Sequence, residues 1–450
     1  PPRSTPKPSS AASDVYKRQL YAIVGVFFGS VLSILPGLHP LNFAGIGVFI
    51  YLMFPMDPLG LALIFAGMLV AYSIVGIITT TYMGSPDDST MYMAFPNQKY
   101  LVYGRGHEAS VITGVGALGS ALLLLAVAPV SSVLFPIFRK LTTPHFGWVL
   151  IGVAVYLLQS EWPKDWGSRA KTRLGRLKDG WASLSAGWLT FFLSMLLGFI
   201  VLNTPITPAN RAFQNIMPVF VGFFAVPWVL TNLASKATIP KQHVSDDLYV
   251  RKMDMLRGTS AGFLGGMFAA FQPIVTAGVG GVLAGHSTGT QGDIQFMVSG
   301  AACRFAYYVG AFFLFWVPLL HLTRGGMAWI TSLVYQPRAE SDFWLLVSAI
   351  AISAVFAFFM MVIVSKFIAR IISNFSYKKV SIGVLISILV LVYGFAGIEG
   401  LVLMTICTGL GLVPPMFRTR RLNMIIGFFF PIFLNMAGMR ADILKFLGVY

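Results

Sequence analysis

The stretch GSVLSILPGLHPLN, residues 29–42, interrupts an apolar segment with Pro36 and Gly37. Proline removes a backbone hydrogen-bond donor and blocks the helical hydrogen bond behind it, and glycine tolerates the turn that follows. The stretch therefore predicts a helix that breaks inside an apolar region. Non-helical backbone is tolerated in a membrane only where protein or a water-filled cavity covers it. We therefore expect His39 and Asn42, just past the break, to line a pocket.

A second break lies at the same spacing in the second half of the chain. Gly25 and Pro36 match Gly262 and Pro273 at one constant offset of 237 residues (262 − 25 and 273 − 36). Paired helix breaks in a chain this apolar are typical of transporters built from structural repeats, with the substrate site between the halves. Glycines four residues apart also let helices pack backbone to backbone, which is an alternative interpretation. That alternative does not explain Gln272-Pro273 in the middle of the segment.

The composition places the chain in a membrane. It is 56% hydrophobic and 11% charged, with a mean hydropathy of +0.76. Apolar runs long enough to cross about 30 Å of hydrocarbon recur throughout. We predict an all-α, polytopic helical membrane protein of about ten to twelve spans, with two structural repeats and broken, re-entrant Gly-Pro hairpins. The clear runs are Leu59–Tyr82, Ala109–Ala128, Ala182–Leu202, Ile216–Leu233, Ile294–Leu320, Phe343–Val364 and Met424–Met436.

The net charge of +16 does not indicate nucleic-acid binding. The positive side chains lie in short connecting loops such as Glu161–Gly180, where they set orientation by the positive-inside rule. Residues 1–19 lack a hydrophobic core segment and a cleavage pattern, so they are not a signal peptide. The predicted organisation is a non-native or disordered segment (1–19), a first transmembrane repeat (20–233), a cytoplasmic linker (234–257) and a second transmembrane repeat (258–450).

The most distinctive polar stretch is GSPDDSTMYMAFPNQKYLVYGRGHEA, residues 84–109. Its Pro-Asp-Asp-Ser-Thr segment has the form of a helix start, because proline is tolerated in the first turn and carboxylates there complement the helix dipole. An acidic cap on an interfacial helix is therefore one interpretation. The other is a coupling-ion site, with carboxylates acting as Na⁺ ligands or as protonatable groups. The candidate coupling-ion residues are Asp87, Asp88, Ser89 and Thr90.

Ionisable residues inside apolar runs are functional candidates, since a charge in hydrocarbon is costly. Arg304 lies about ten residues into the Ile294–Leu320 run, where it could neutralise an anionic substrate. The alternative is that its side chain reaches the membrane interface. Glu399 lies between two short apolar runs, and a helix end in water is a better interpretation of it than a proton path. Cys303 and Cys407 are interpreted as packing residues, and no metal site is predicted.

These motifs resemble the large membrane subunit family of the tripartite tricarboxylate transporters, and they fit its stand-alone, archaeal-type members best. Residues 29–42 resemble that family's Gly-rich segment in its Pro-Gly-x-His-x-Asn variant. Residues 84–109 resemble its Gly-x-Pro-Asp-(Asp/Glu)-x-Thr stretch, followed by Gly-Arg-Gly-x-Glu-Ala. Residues 258–293 resemble the second-half counterpart, with Gln272-Pro273-Ile274 in place of Pro-Gly.

The resemblance implies secondary uptake of di- or tricarboxylates, driven by a Na⁺ or proton gradient, by a multi-pass protein of the prokaryotic cytoplasmic membrane. Three-component members work with a small membrane subunit and an extracytoplasmic binding protein, and stand-alone members lack them; both arrangements stay open, and a homodimer is a further prediction. No cofactor beyond the coupling ion is expected. Helix N-termini at the breaks would bind carboxylates. The predicted substrate-binding residues are Pro36, Gly37, His39, Asn42, Gln272, Pro273, Thr276 and Arg304.

Two other function classes are weighed against a transporter. A membrane-embedded processing enzyme is disfavoured, because the sequence lacks a HExxH motif, a Gly-x-Ser-x-Gly elbow and a Walker-A loop. A channel could also use Gly-rich broken helices, but selectivity filters are usually built from symmetric subunits, whereas this chain has two unlike halves. Whether the two repeats are parallel or inverted stays open at this stage.

Overall fold

The computed structural model of the chain describes residues 10–53, 57–162, 172–204, 206, 216–235, 238–245, 248, 250–273, 275–289, 292–436, 439–446 and 448. Within these ranges the fold is all-α, without a β-strand. Seven helical segments are long and apolar enough to cross a membrane, judged by length and composition over the same ranges. The chain is therefore an all-α polytopic membrane protein, as the sequence predicts.

The first half contains nine α-helices among the described residues. A π-helical turn, Thr79–Met83, follows α3, and a second π-helical turn, Val221–Ala225, joins α8 to α9. The helices are α1 (Ser10–Ser33), α2 (Pro40–Met53), α3 (Pro58–Val75), α4 (Met91–Val102), α5 (Gly106–Thr142), α6 (Phe146–Gln159), α7 (Arg173–Asn203), α8 (Ile216–Phe220) and α9 (Val226–Ala234).

The second half has a similar order of elements. A long helix again ends at a break and is followed by a shorter helix and then by a buried long one. The helices are α10 (Lys252–Phe271), α11 (Ala277–Ser287), α12 (Gly292–Trp316), α13 (Gly326–Val334), α14 (Glu340–Ile372), α15 (Tyr377–Phe417), α16 (Leu422–Met436) and α17 (Arg440–Phe446).

The predicted breaks are present at both places. Helix α1 ends at Ser33 and α2 begins at Pro40, and Gly37 between them has a φ of 84°, which favours glycine. Helix α10 ends at Phe271 and α11 begins at Ala277. Each break thus separates two helices in sequence.

Glycines bring the helix before each break against the second helix after it. A Cβ added to Gly25 would lie 2.1 Å from the backbone oxygen of Ile64, and one added to Gly262 would lie 2.1 Å from that of Ser299. Such distances leave no room for a side chain, so α1 packs on α3, and α10 on α12, backbone to backbone. A glycine four residues further along each helix repeats the contact: Gly29 with Met68, and Gly266 with Cys303.

The central helices of the two halves cross in opposite directions. Along α12, Arg304 lies beside Gly76 of α3, and Tyr308, further along α12, lies beside Tyr72, which is earlier on α3. Helices α3 and α12 are therefore antiparallel. Two long helices pack across the halves, α5 against α12 and α14 against α3. The core between the halves is thus built from both of them.

Two predicted boundaries differ from the structure. Residues 1–19 are predicted to be non-native or disordered, yet 10–19 form the first turns of α1, and 1–9 lie outside the described residues. The linker is predicted to end at residue 257, and α10 already begins at Lys252. The basic part of the loop at 163–171 also lies outside the described residues.

Candidate functional site

A cavity of about 50 Å³ lies where the first break meets the core of the protein. It is lined by Gly37, His39 and Asn42 of the break, by Asp87 and Asp88, and by residues of α3, α8 and α12. A buried water needs roughly 10–15 Å³ of such space, so the cavity has room for a few waters or one ion. The polar side chains predicted to line a pocket at the break do so.

Asp87 is held in place by hydrogen bonds from the start of α4. Its Oδ1 accepts the backbone N–H groups of Ser89 (3.0 Å) and Thr90 (2.8 Å) and both of their hydroxyls (2.7 and 2.8 Å). The backbone N–H of Met91 donates to the Asp87 carbonyl at 3.0 Å. One carboxylate oxygen of Asp87 therefore accepts the N–H groups of the turn at 88–90, which leads into α4 at Met91.

The other carboxylate oxygen of Asp87 faces the second half of the chain. Its Oδ2 accepts the Tyr72 hydroxyl at 2.6 Å and lies 3.3 Å from Nη2 of Arg304. The Arg304 side chain is 1% exposed, and its guanidinium lies 4.4 Å above the Tyr72 ring. Arg304 is therefore buried, pairs with the half-buried Asp87 and does not extend to the surface. Its Nε and Nη1 atoms have no hydrogen-bond partner among the described residues.

Three rings separate this cavity from a second one. The centroids of His39, Tyr72 and Tyr308 lie 5.3 to 6.1 Å apart, and each pair is arranged edge to face. Edge-to-face pairs of this kind are stabilising, by about 0.5–1.5 kcal/mol each. The cluster joins the first break (His39) to the crossing of α3 and α12, so the two breaks are linked through the core.

The second cavity, about 140 Å³, lies on the other side of the ring cluster. Thr276 of the second break lines it, together with Tyr307, Arg324 and the start of α13. On the scale used above, its volume corresponds to roughly ten waters, the size class of a small organic acid. Asp88, which is 5% exposed, lines both cavities.

The structure brings together most of the predicted site residues. The predicted residues form two sets, those that line a cavity and those that do not. Those that line one or both cavities are Gly37, His39, Asn42, Asp87, Asp88, Thr276 and Arg304. Those that do not are Pro36, Ser89, Thr90, Gln272 and Pro273; they shape the breaks or cap α4 instead.

Sequence reasoning missed three side chains of the site. Tyr72 and Tyr308 read as ordinary apolar-run residues, because nothing local reveals that α3 and α12 cross at them. Arg324 lies in the short polar segment HLTRGG between two apolar runs. The sequence signal that could have identified Arg324 is its position as an isolated arginine, directly before two glycines at the start of a helix. Glu399 is exposed beside Gly397, where α15 kinks with a φ of 70°, and its predicted position at a helix end in water stays a prediction.

No cluster of three or more metal-ligating side chains occurs in the described ranges. Cys303 and Cys407 are free and buried. Cys303 donates to the carbonyl of Ala277 at 3.1 Å, within the second hairpin.

Comparison with known proteins identifies the family. The sequence model of the Tripartite tricarboxylate transporter TctA family matches residues 20–426. The chain belongs to this family. An uncharacterized protein of Methanocaldococcus jannaschii is 23% identical over 371 residues, which cover 81% of this chain and 84% of that protein. No solved structure matches the chain.

Membership in this family establishes the general activity. The TctA family is a family of transporters and not of enzymes, so the chain is a membrane component of tricarboxylate transport. Members typically act in tripartite systems with other subunits. The processing-enzyme alternative is therefore excluded.

Proposed function

We propose that the chain is a secondary active transporter for di- and tricarboxylates, coupled to a Na⁺ or proton gradient. The observation that carries the proposal is the buried site between the two breaks. There Asp87, Asp88, Arg304 and Arg324 line two neighbouring cavities. Buried charges are costly in a membrane protein and mark ion or substrate pathways. Family membership supports tricarboxylates as the substrate class.

We further propose that residues 20–233 and 258–450 are inverted repeats. The glycine contacts support it, because Gly25–Ile64 and Gly262–Ser299 are the same contact in each half. Helix direction also supports it, because α3 and α12 run antiparallel. Helices α5 and α14 also run antiparallel. His107 contacts Ser365, whereas Gly114, further along α5, contacts Met361, which is earlier on α14. Inverted repeats provide alternating access when one half moves relative to the other.

We propose Asp88 as the coupling residue. Asp87 makes hydrogen bonds through both carboxylate oxygens and is paired with Arg304, so its charge is already balanced within the protein. Asp88 is buried and lines both cavities, where H⁺ or Na⁺ would neutralise it. The Ser89 and Thr90 hydroxyls donate to Asp87, which supports a structural role for them.

Location and partners are part of the same proposal. We place the protein in the prokaryotic cytoplasmic membrane. A small membrane subunit and an extracytoplasmic binding protein are the predicted partners if it acts in a three-component system. Co-purification of the chain expressed with and without a candidate small membrane subunit and binding protein would test them.

Uptake of radiolabelled citrate, succinate and tartrate into proteoliposomes tests the proposed function. We expect saturable uptake that requires an imposed Na⁺ or proton gradient. Unsaturable flux without any gradient would instead indicate a channel. Absence of uptake under either gradient, with the candidate subunits both absent and present, would contradict a carboxylate carrier.

Substitution of the two aspartates separates their roles. We expect Asp88→Asn to remove the cation dependence of uptake while the protein remains folded. We expect Asp87→Asn to lower the folded yield, because it disrupts the ion pair with Arg304. Full gradient-driven uptake by Asp88→Asn would exclude the proposed coupling role.

A further inference from the structure

Two helices begin at the second cavity. Helix α11 starts at Ala277 directly after Thr276, and α13 starts at Gly326 directly after Gly325. Thr276 and residues 325–328 all line this cavity. The first backbone N–H groups of a helix have no partner within the helix, and together with the helix dipole they favour an anion. Two such ends at one cavity form a candidate anion site.

One buried hydroxyl at this cavity, that of Thr276, lacks a hydrogen-bond partner among the described residues. Thr276 is 4% exposed, its side chain does not cap α11, and its Oγ1 has no hydrogen-bond partner among the described residues. A buried hydroxyl without a partner costs about 1–3 kcal/mol, so an occupant that accepts its proton would be favoured. This observation is independent of the helix ends and points into the same cavity.

Arg324 supplies positive charge at the same place. One guanidinium nitrogen donates to the carbonyl of Gln272 in the second break, which holds the side chain against the hairpin. Among the described residues no acidic side chain forms an ion pair with Arg324. An arginine fork matches the two oxygens of a carboxylate better than any other side chain does.

At the first cavity, a carboxylate of the protein itself lies between backbone N–H groups and an arginine. There the turn before α4 donates its N–H groups to Asp87, and Arg304 pairs with the same carboxylate. In the second half, the loop between α12 and α13 carries Leu322 and Thr323 near the corresponding position, and no acidic residue occurs from 317 to 325. The first half thus places its own carboxylate between helix N–H groups and an arginine, whereas the second half offers similar groups to a cavity.

We propose that the second cavity binds a carboxylate group of the substrate through Arg324, Thr276 and the N-termini of α11 and α13. This inference rests on the proposed transport of di- and tricarboxylates and assigns the residues that recognise them. The ring cluster of His39, Tyr72 and Tyr308 forms the wall behind the bound acid.

The position of Asp88 links this subsite to the coupling ion. Asp88 lines the second cavity, and its carbonyl oxygen packs against Gly278 in the first turn of α11. A bound carboxylate beside an ionised Asp88 is repelled, and neutralisation of Asp88 by H⁺ or Na⁺ removes the repulsion. Because linkage is reciprocal, the cation strengthens binding of the acid by the same factor as the acid strengthens binding of the cation.

Equilibrium binding of radiolabelled succinate and citrate to the purified full-length chain in nanodiscs tests the subsite. The variants are Arg324→Gln, Arg324→Lys and Thr276→Val. Arg338→Gln is the matched control, because Arg338 is an exposed arginine on the same half, just past α13. Thermal unfolding of each variant reports whether it is folded.

We expect Arg324→Gln to weaken binding by roughly 10- to 100-fold, because it removes a charged, forked donor. Arg324→Lys should lie between Arg324→Gln and the wild type, since it keeps the charge but not the fork. Thr276→Val should weaken binding by roughly 2- to 10-fold. Arg338→Gln should bind as the wild type does. Asp88→Asn should bind the acids equally well with and without the coupling cation.

Several outcomes would overturn the subsite. Wild-type affinity in a folded Arg324→Gln protein would overturn it. If that variant does not fold, wild-type affinity in both Arg324→Lys and Thr276→Val would overturn it instead. Displacement of labelled succinate by inorganic phosphate as effectively as by succinate would contradict a carboxylate site. If the wild type imports the acids but Arg324→Gln binds normally, transport stands and the subsite fails. If the wild type neither binds nor imports any acid, the proposed function fails with it.

Discussion

The two cavities occupy similar places in the two halves, yet different groups face their helix ends. In the first half, Asp87 lies against the turn before α4 and pairs with Arg304 of the other half. In the second half, the ends of α11 and α13 face a larger cavity beside Arg324. One half therefore carries a built-in anion, and the other half has space for an external one.

With the proposed subsite, similar helix ends serve two different tasks: in the first half they hold Asp87, and in the second half they bind a carboxylate of the substrate. A permanent carboxylate fixes the first cavity, because removing either member of a buried ion pair leaves an uncompensated charge. A removable carboxylate suits the second cavity, because a carrier must release its substrate. The comparison can be tested by substitutions that should affect one half and spare the other.

The largest expected effect comes from Arg304→Leu. This change leaves Asp87, whose side chain is 28% exposed, charged and without its partner, at a cost of at most about 3–5 kcal/mol in the free energy of unfolding. Denaturant titration of the purified protein in detergent measures it. The control is Lys99→Gln, because the Lys99–Asp293 pair is exposed (40% and 34%) and should contribute nothing measurable. Equal losses in both variants would show that the first cavity does not depend on its ion pair.

Tyr72→Phe is expected to have the next largest effect. The Tyr72 hydroxyl donates to Asp87 at 2.6 Å, and a hydrogen bond to a charged group contributes about 1.5–3 kcal/mol. Tyr307 lies at the corresponding place on α12, and its hydroxyl has no hydrogen-bond partner among those described. Tyr307→Phe should therefore leave the unfolding free energy unchanged. Equal losses of stability in the two variants would contradict the proposed difference between the cavities.

Gly25→Ala and Gly262→Ala test whether the halves are equivalent away from the cavities. In each variant the new methyl group would meet a backbone oxygen at 2.1 Å, and overpacking of this kind costs about 1–3 kcal/mol. We expect similar losses of thermal stability in both. Gly152→Ala is the control, since nothing lies within 4 Å of a Cβ added there. A loss confined to one of the two positions would argue against inverted repeats.

Local features of the site could be predicted from the sequence. Pro36 and Pro273 correctly marked the breaks, since the effect of proline on a helix depends only on its own backbone. The stretch around Asp87 was likewise recognised as leading into a helix, and α4 begins four residues later at Met91, because such local hydrogen bonds act over a few residues. Arg304 was recognised as a functional candidate from its position in an apolar run.

The partners of these groups could not be predicted. The pairing of Asp87 with Arg304 depends on the antiparallel crossing of α3 and α12, which no periodicity in either segment encodes. Arg324 belongs to the site only because its loop folds back onto the second break. The number of crossings also stays a prediction, since seven described segments qualify by length and several shorter helices accompany them.

The glycine contacts between α1 and α3 and between α10 and α12 also have a mechanical consequence. A seam of backbone against backbone contains no side chains whose rotamers could change, so each pair of helices resists sliding and bending. Each hairpin arm then moves together with its central helix as one rigid unit. We expect flexing to occur outside these units, at a position such as Gly397, where α15 already bends against the segment Ile216–Ala234.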